Sequence, residues 1–277
     1  MRASMMTTRR GKRWLGAAAM ALVGCGDEVG PGAVSGGPCD PATGGRGEAV
    51  ACVGGALVDP DGNPVVGVKV SACTATTCII GPTDDGGRYN IQGLPVEPHK
   101  IEILGVPKGF MTMVFFQETK PGEMAVAARE VELVPLTGQA VPLPESGGTA
   151  LVADGKLELR AAADALVYPI GAPEEIEVAA IDIADLPPFD VEPWKGKERQ
   201  SFAFVVSPFA MGVEGDIELV VKGAGAAAGT PYRIYSADHI TARLEDGGML
   251  VADDKGDLVL QPGASIEELT TVVIVPN

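Results

Sequence analysis

The stretch from Cys52 to Pro107 most narrows the folds open to this chain, because apolar residues alternate along it with polar or small ones in short runs between turn clusters. A period of two is that of a strand with one face buried and the other wet. The clusters are Asp59-Pro-Asp-Gly-Asn-Pro64, Asp84-Asp-Gly-Gly87 and Gly93-Leu-Pro95. Gly and Asn tolerate positive φ and Pro fixes φ for a turn, so each cluster reverses the chain. Alternation points Val53 and Leu57 inward on a first strand. On a second strand it points Val66, Val68, Val70 and Ala72 inward, with Lys69 and Ser71 toward solvent. Tyr89 and Ile91, Leu94 beyond a turn at Gly93, and Ile101 and Ile103 complete a small β-sandwich.

Gly55 to Val58, Asp61-Gly-Asn-Pro-Val-Val-Gly-Val-Lys-Val70, Thr83-Asp-Asp-Gly-Gly-Arg-Tyr89 and Leu94-Pro95 together resemble the carboxypeptidase regulatory-like domain. The resemblance implies a transthyretin-like sandwich of seven strands. It rests mostly on turn chemistry, so it speaks to fold and not to function. The zinc peptidase that lends the family its name holds its metal in a different domain, and this chain carries no counterpart of it.

Before this region the chain reads as an address. Arg9, Arg10, Lys12 and Arg13 precede an apolar run from Trp14 to Gly24, shorter than the ~20 apolar residues that span a bilayer. That is the form of an export signal, expected over residues 1–24. Arg9-Arg10 also suits twin-arginine export, but Gly11-Lys12-Arg13 displaces the apolar residues that should follow, so ordinary secretion is the reading. The segment closes on Leu22-Val23-Gly24-Cys25, which resembles a bacterial lipobox. The resemblance implies a diacylglycerol on the Cys25 thiol and a further acyl chain, such as palmitate, on its freed amine. Residues 25–48 then form a flexible linker, because Gly30-Pro-Gly32, Ser35-Gly-Gly-Pro38 and Gly44-Gly45 bring almost nothing that can offset ordering entropy. The expected location is extracytoplasmic, at the outer membrane or periplasmic face of a bacterial envelope.

Charge and cysteine usage agree with that address. The formal net charge is −16, and the residues before Cys25 hold five basic side chains and no acid, so the rest of the chain carries −21. Such a surface repels nucleic acid and anionic headgroups, so contact with the membrane has to come from the lipid. Apart from Cys25 four cysteines remain, an even number for an oxidising compartment. Cys73 with Cys78 would close a short loop, and Cys39 with Cys52 would staple the linker to the first strand; Cys52 with Cys73 is the rival. No CxxC pair or nearby His suggests zinc.

Residues 108–147 carry an apolar strand candidate, Met111 to Phe116, and an alternating run, Arg129 to Pro135, that completes the first sandwich or bridges to the next. Pro142, Pro144 and Ser146-Gly-Gly148 mark a boundary, giving sandwiches over residues 49–145 and 146–277. Strands are expected at Lys156–Arg160, Ile176–Val178, Ile181–Ile183, Phe202–Val206, Asp216–Val221, Tyr232–Tyr235, Leu258–Leu260 and Val272–Val275, with one helical turn over Ala161–Leu166. Low aromatic content, 5%, with 37 Gly and 22 Pro fits many short strands and tight turns. The fold class is all-β: two consecutive sandwiches after a signal peptide and linker.

The candidate sites are few. Asp59, Asp61 and Asn63 stand at the spacing that opens a calcium loop, but Val70 falls where its bidentate Glu belongs. Asp253, Asp254 and Asp257 form a second acidic turn. Both read as braced or solvated turns, so no dedicated metal or other cofactor is expected, only weak Ca²⁺ binding. Lys69, Asn90 and Glu102 raise an isopeptide crosslink, which requires a buried, desolvated amine, and alternation puts Lys69 and Glu102 outside. The chain holds two histidines, His99 and His239, neither in a hydrolase motif, and the pair Asp238-His239 reads as a loop pair. A non-catalytic, lipid-anchored structural or binding module is expected, with a protein or glycan partner and no nucleic acid. The alternative is an envelope enzyme or a small-ligand or carbohydrate binder with its site between the sandwiches.

Overall fold

Alternating burial along short strands organises the protein, as described for Cys39 and residues 50–277 except Ala128 in a computed structural model. These residues belong to one compact unit. The first half runs β1 (Ala51–Val58), β2 (Lys69–Cys73), β3 (Cys78–Pro82), β4 (Arg88–Leu94), β5 (His99–Leu104), β6 (Met113–Gln117), β7 (Met124–Val126) and β8 (Val131–Glu132). One sheet is ordered β4-β1-β7, with β8 also on β1, and faces a second ordered β3-β2-β5-β6. β7 and β8 pair with β1 in parallel, so residues 108–136 complete this sandwich. Val53, Leu57, Val68, Val70, Ala72, Tyr89, Ile91, Leu94, Ile101 and Ile103 fill its core, together with Met113, Phe115, Val131 and Leu133.

Three details depart from simple alternation. Val66 is exposed and Val65 is buried in its place, because the chain is still turning there and β2 begins only at Lys69. Ser71 is buried although it faces away from this core. Gly93 does not end a strand: it sits inside β4 with φ +73°, opposite a shift of register on β1, the mark of a bulge.

The turn motifs are built by their own side chains. Asp59 Oδ1 accepts from the amides of Asp61 (3.0 Å) and Asn63 (2.8 Å). Asp84 Oδ1 accepts from Gly86 and Arg88, both at 2.9 Å. Buried Thr83 donates to the Val65 carbonyl (2.6 Å) and accepts from the Val68 amide (3.0 Å), tying this turn to the start of β2. Gly87 has φ +70°, and a Cβ there would meet the Leu57 carbonyl at 2.6 Å, so both conformation and space require glycine.

The second half runs β9 (Val141–Pro142), β10 (Gly148–Val152), β11 (Leu157–Ala161), β12 (Leu166–Val167), β13 (Glu175–Ile181), β14 (Phe202–Ser207), β15 (Met211–Val213), β16 (Ile217–Val221), β17 (Pro231–Ala237), β18 (Leu244–Ala252), β19 (Leu258–Leu260), β20 (Glu268–Leu269) and β21 (Thr271–Pro276). Ten of these form a single sheet, β10-β11-β16-β19-β18-β17-β21-β14-β13-β9, and β12-β15-β20 form a small one beside it. The long sheet curls until β10 approaches β9 and β13, enclosing a core that includes Val152, Leu159, Val178, Phe204, Leu219, Ile234, Leu250 and Ile274. β9 pairs with Ile176 and Glu175 of β13, so residues 141–142 belong to this sheet although they precede residue 146. Ala161 closes β11 and Leu166 opens β12, with no helical turn between them. β13 ends at Ile181 and a 3-10 turn, Ile183–Asp185, follows where a further strand was expected. Asp182 stops the strand by accepting the Ala184 amide at 2.8 Å.

The two halves share interior. Ala179 of β13 and Val205 of β14 lie in the first core. Val114 and Phe116, on the outer face of β6, pack with Ala203, Val273, Val275, Ala237 and the loop residues Leu186, Phe189 and Trp194. β13, β14 and β21 are therefore covered on both faces, which accounts for their near-continuous apolar runs. Between the halves, buried Glu177 Oε1 accepts from the Gly138 amide (2.8 Å), the Thr137 hydroxyl (2.8 Å) and the Thr137 amide, fixing the crossover.

Candidate functional site

The cysteines are paired as the sequence favoured, Cys39 with Cys52 and Cys73 with Cys78. Cys73 and Cys78 are direct cross-strand partners on β2 and β3, at the base of a four-residue hairpin. Cys25 lies outside the described residues.

Most of the other candidates are dispersed. In the first acidic turn the Asp59 carboxylate is taken up by Asn63 and the turn amides, which holds its pKa below the usual value. In the second, Asp253 Oδ1 accepts from the Lys255 (2.7 Å) and Asp257 (3.0 Å) amides, while Asp257 accepts from Gly223 at 2.8 Å. Both act as turn braces. Neither brings three His, Cys or acidic ligand atoms together among the described residues. Lys69 is exposed, Asn90 accepts from Gln92 at 2.6 Å, and Glu102 pairs with Lys100 at 2.8 Å, so the isopeptide constellation is not assembled.

One constellation does form. β17 ends at Ala237 and the chain turns through residues 238–243 into β18, while β20 brings Glu268 alongside. Asp238 shapes the turn by accepting the amides of Ile240 (3.1 Å) and Thr241 (2.6 Å). The Glu268 carboxylate accepts the His239 amide at Oε2 (3.0 Å), and its Oε1 meets the imidazole Nδ1. Ser236 donates to the Glu268 carbonyl at 2.6 Å and Thr270 donates to the Ala237 carbonyl, so the backbone beneath is pinned from both sides. Ser236 thus gives its hydroxyl proton to a backbone carbonyl. One ligand atom each from half-buried Asp238, His239 and Glu268 lies within 4.8 Å of the other two. A small cleft of about 20 Å³ opens beside them, walled by Ser236, Asp238, Glu245, Asp246, Glu267 and Glu268.

This corner stands where the halves meet. Arg243 lies 4.9 Å over the Phe116 ring of β6 and approaches Asp190 at 3.5 Å. The Glu268 carboxylate raises the His239 pKa; burial and Lys100 of β5 oppose the rise and Asp238 adds to it. Glu245 is also raised, by burial and then by the negative charge of Asp238, Glu267 and Glu268. Sequence reading found Asp238 and His239 but missed Glu268 and Glu245. Twenty-nine positions separate His239 from Glu268, and only sheet topology brings them together.

His99 behaves in the opposite way. It is fully buried at the start of β5, across from Gln117, and neither ring nitrogen meets the geometry of a hydrogen bond. Burial pushes its pKa down, and the carbonyl and charge of nearby Glu97 offset part of that. A depressed folded pKa means the unfolded chain takes up the proton first. The stability tied to a neutral His99 is therefore complete above the ordinary value of about 6.5 and is lost as pH falls from there through the folded value. His239, with a raised pKa, stabilises below about 6.5 and loses that contribution as pH rises through its folded value. With two histidines in the chain, an NMR titration should show one imidazole on each side of the ordinary value. His99→Leu should flatten the loss of urea stability as pH falls below about 6.5. An unchanged slope in that variant would assign the loss to other groups.

No protein-family model matches the chain, and no curated protein matches it. Among solved structures it is similar to the TIE protein of Bacillus anthracis, at 13% identity and a TM-score of 0.29, over 77% of this chain and 43% of that one. It is also similar to the streptococcal ancillary pilin, at 10% identity and 0.26, over 81% of this chain and 52% of that one. A third is the major pilin subunit of Bacillus cereus, at 11% identity and 0.24, over 82% and 59%. The chain thus spans less than half the length of the first of these.

Proposed function

We propose that this chain is a non-catalytic structural or binding module held at a bacterial cell envelope by lipid on Cys25. The observation that carries the reading is the cysteine pairing: Cys39–Cys52 and Cys73–Cys78 account for every cysteine after Cys25, which is left for the anchor. Disulfides of this kind belong to an oxidising compartment. The first half is read as a carboxypeptidase regulatory-like sandwich, supported by its two facing sheets and by the roles of Asp59, Thr83, Asp84 and Gly87 in its turns. A protein or glycan partner meets the exposed loops and the edge strand β3, where Ile80 is exposed; for a protein the mode is strand addition.

The test is expression in a bacterial host fed labelled palmitate, with mass spectrometry of the mature N-terminus. A first residue Cys25 bearing three acyl chains, and loss of label and of detergent-phase partitioning in Cys25→Ala, is the expected result. A mature protein that starts elsewhere without lipid would overturn it.

A further inference from the structure

We propose that Asp238, His239 and Glu268 form a binding site for one divalent transition-metal ion, in the class of Zn²⁺. The inference does not rest on the envelope reading. The three residues offer one imidazole nitrogen and two carboxylates, a donor set that neutralises a doubly charged ion. In the tetrahedral geometry of such an ion, metal–ligand distances of about 2.0–2.2 Å place neighbouring ligand atoms roughly 3.3–3.6 Å apart. The three ligand atoms now lie within 4.8 Å of one another, with Nδ1 and Oε1 in hydrogen-bond contact, so binding opens that pair and draws any wider separation inward. The ion would enter between Nδ1 and Oε1, which now share a hydrogen bond, and Oε2 keeps its amide donor from His239.

Two further observations separate this corner from an ordinary acidic surface. The first is the cleft beside His239, lined by Asp238 and Glu268, whose space of about 20 Å³ suits one small occupant and opens toward solvent. The second is the charge balance around it. Among the described residues no Lys or Arg forms an ion pair with Asp238, Glu245, Glu267 or Glu268, and His239 is the partner of the group. Of the cations nearby, Lys100 pairs with Glu102 and Arg243 with Asp190 and the Phe116 ring, while Arg233 pairs with Asp246 on the cleft wall. An imidazole ligand favours Zn²⁺-like ions over Ca²⁺ and Mg²⁺, which take oxygen ligands. With three protein ligands, one position stays open to water or to a partner's side chain.

The test uses the full chain freed of metal with a chelator, titrated with Zn²⁺ alone by calorimetry and by NMR of the two imidazoles. Saturable binding of one ion per chain that shifts the His239 resonances and leaves those of His99 in place supports the site. His239→Ala and Glu268→Gln should each weaken binding by at least ~10-fold. Asp238→Asn keeps the oxygen that shapes the turn and reports on the third ligand if either of those variants folds poorly. Absence of saturable binding to the wild-type chain would overturn the proposal. So would affinity unchanged in all the folded variants, or Ca²⁺ displacing Zn²⁺ at equal concentration.

Discussion

A Val205→Asp chain is expected to lose both halves of the fold at once. Val205 belongs to β14 of the second half, yet it is fully buried in the first core, while its neighbours Phe204 and Val206 point into the second. A carboxylate at this place has no partner and cannot reach water, and an unpaired buried charge costs several kcal/mol or more, comparable to the whole stability of a domain. The milder Val205→Ala removes two methyl groups and should cost about 1–3 kcal/mol. Its urea transition should stay single, with amide exchange in β2 and in β18 rising together. Protection kept in β2 while β18 opens would show that the shared interior does not couple the halves.

The second large effect is expected at Trp194. The loop between β13 and β14 folds back over the sheet, and Trp194, 4% exposed, is its main anchor, meeting the Phe189 ring edge to face at 6.2 Å and 86°. Leu186 and Val275 are buried in the same cluster. Trp194→Ala leaves a cavity that this loop cannot collapse into without exposing the back of β21, so a loss of about 3–5 kcal/mol is expected. That corresponds to a fall in melting temperature of roughly 10 °C for a chain of this size. A loss under about 1 kcal/mol in urea would mean that the loop is a surface ornament and not part of the core.

Much of the first half was legible because its information is local. Turn residues such as Asp59, Asp84 and Gly87 act within a few positions of themselves, and one-sided strands such as β5 write their burial as alternation. Val66 and Ser71 were misplaced because the period of two was extended back into a turn and because the outer face of β2 is itself partly covered. In the second half β18, the longest strand, was missed: its run Leu-Glu-Asp-Gly-Gly-Met-Leu-Val-Ala holds two charges and a glycine pair, so neither propensity nor alternation marks it. The pair is nonetheless required, since Gly248 takes φ +118° and a Cβ on Gly247 would strike Ile266 at 2.8 Å. Strands buried on both faces, such as β14 and β21, give an apolar run without a period, which identifies a strand but not its neighbours. The candidate site was half legible for the same reason. Asp238-His239 is a local pair, while Glu268 and Glu245 reach it only through the order of strands in the sheet.

The Cys39–Cys52 disulfide also sets how the protein would bear a load. A pull arriving through residue 39 passes by the covalent bridge straight to Cys52, inside β1, so residues 40–51 carry none of it. β1 is flanked by β4 on one side and by β7 and β8 on the other. A force along its axis must therefore shear several ladders of hydrogen bonds together, where a force on an edge strand would unzip them one by one. With the bridge reduced, the same pull would first act at the end of β1 and peel it. Its contribution would thus appear in the rupture force under tension as well as in the melting temperature.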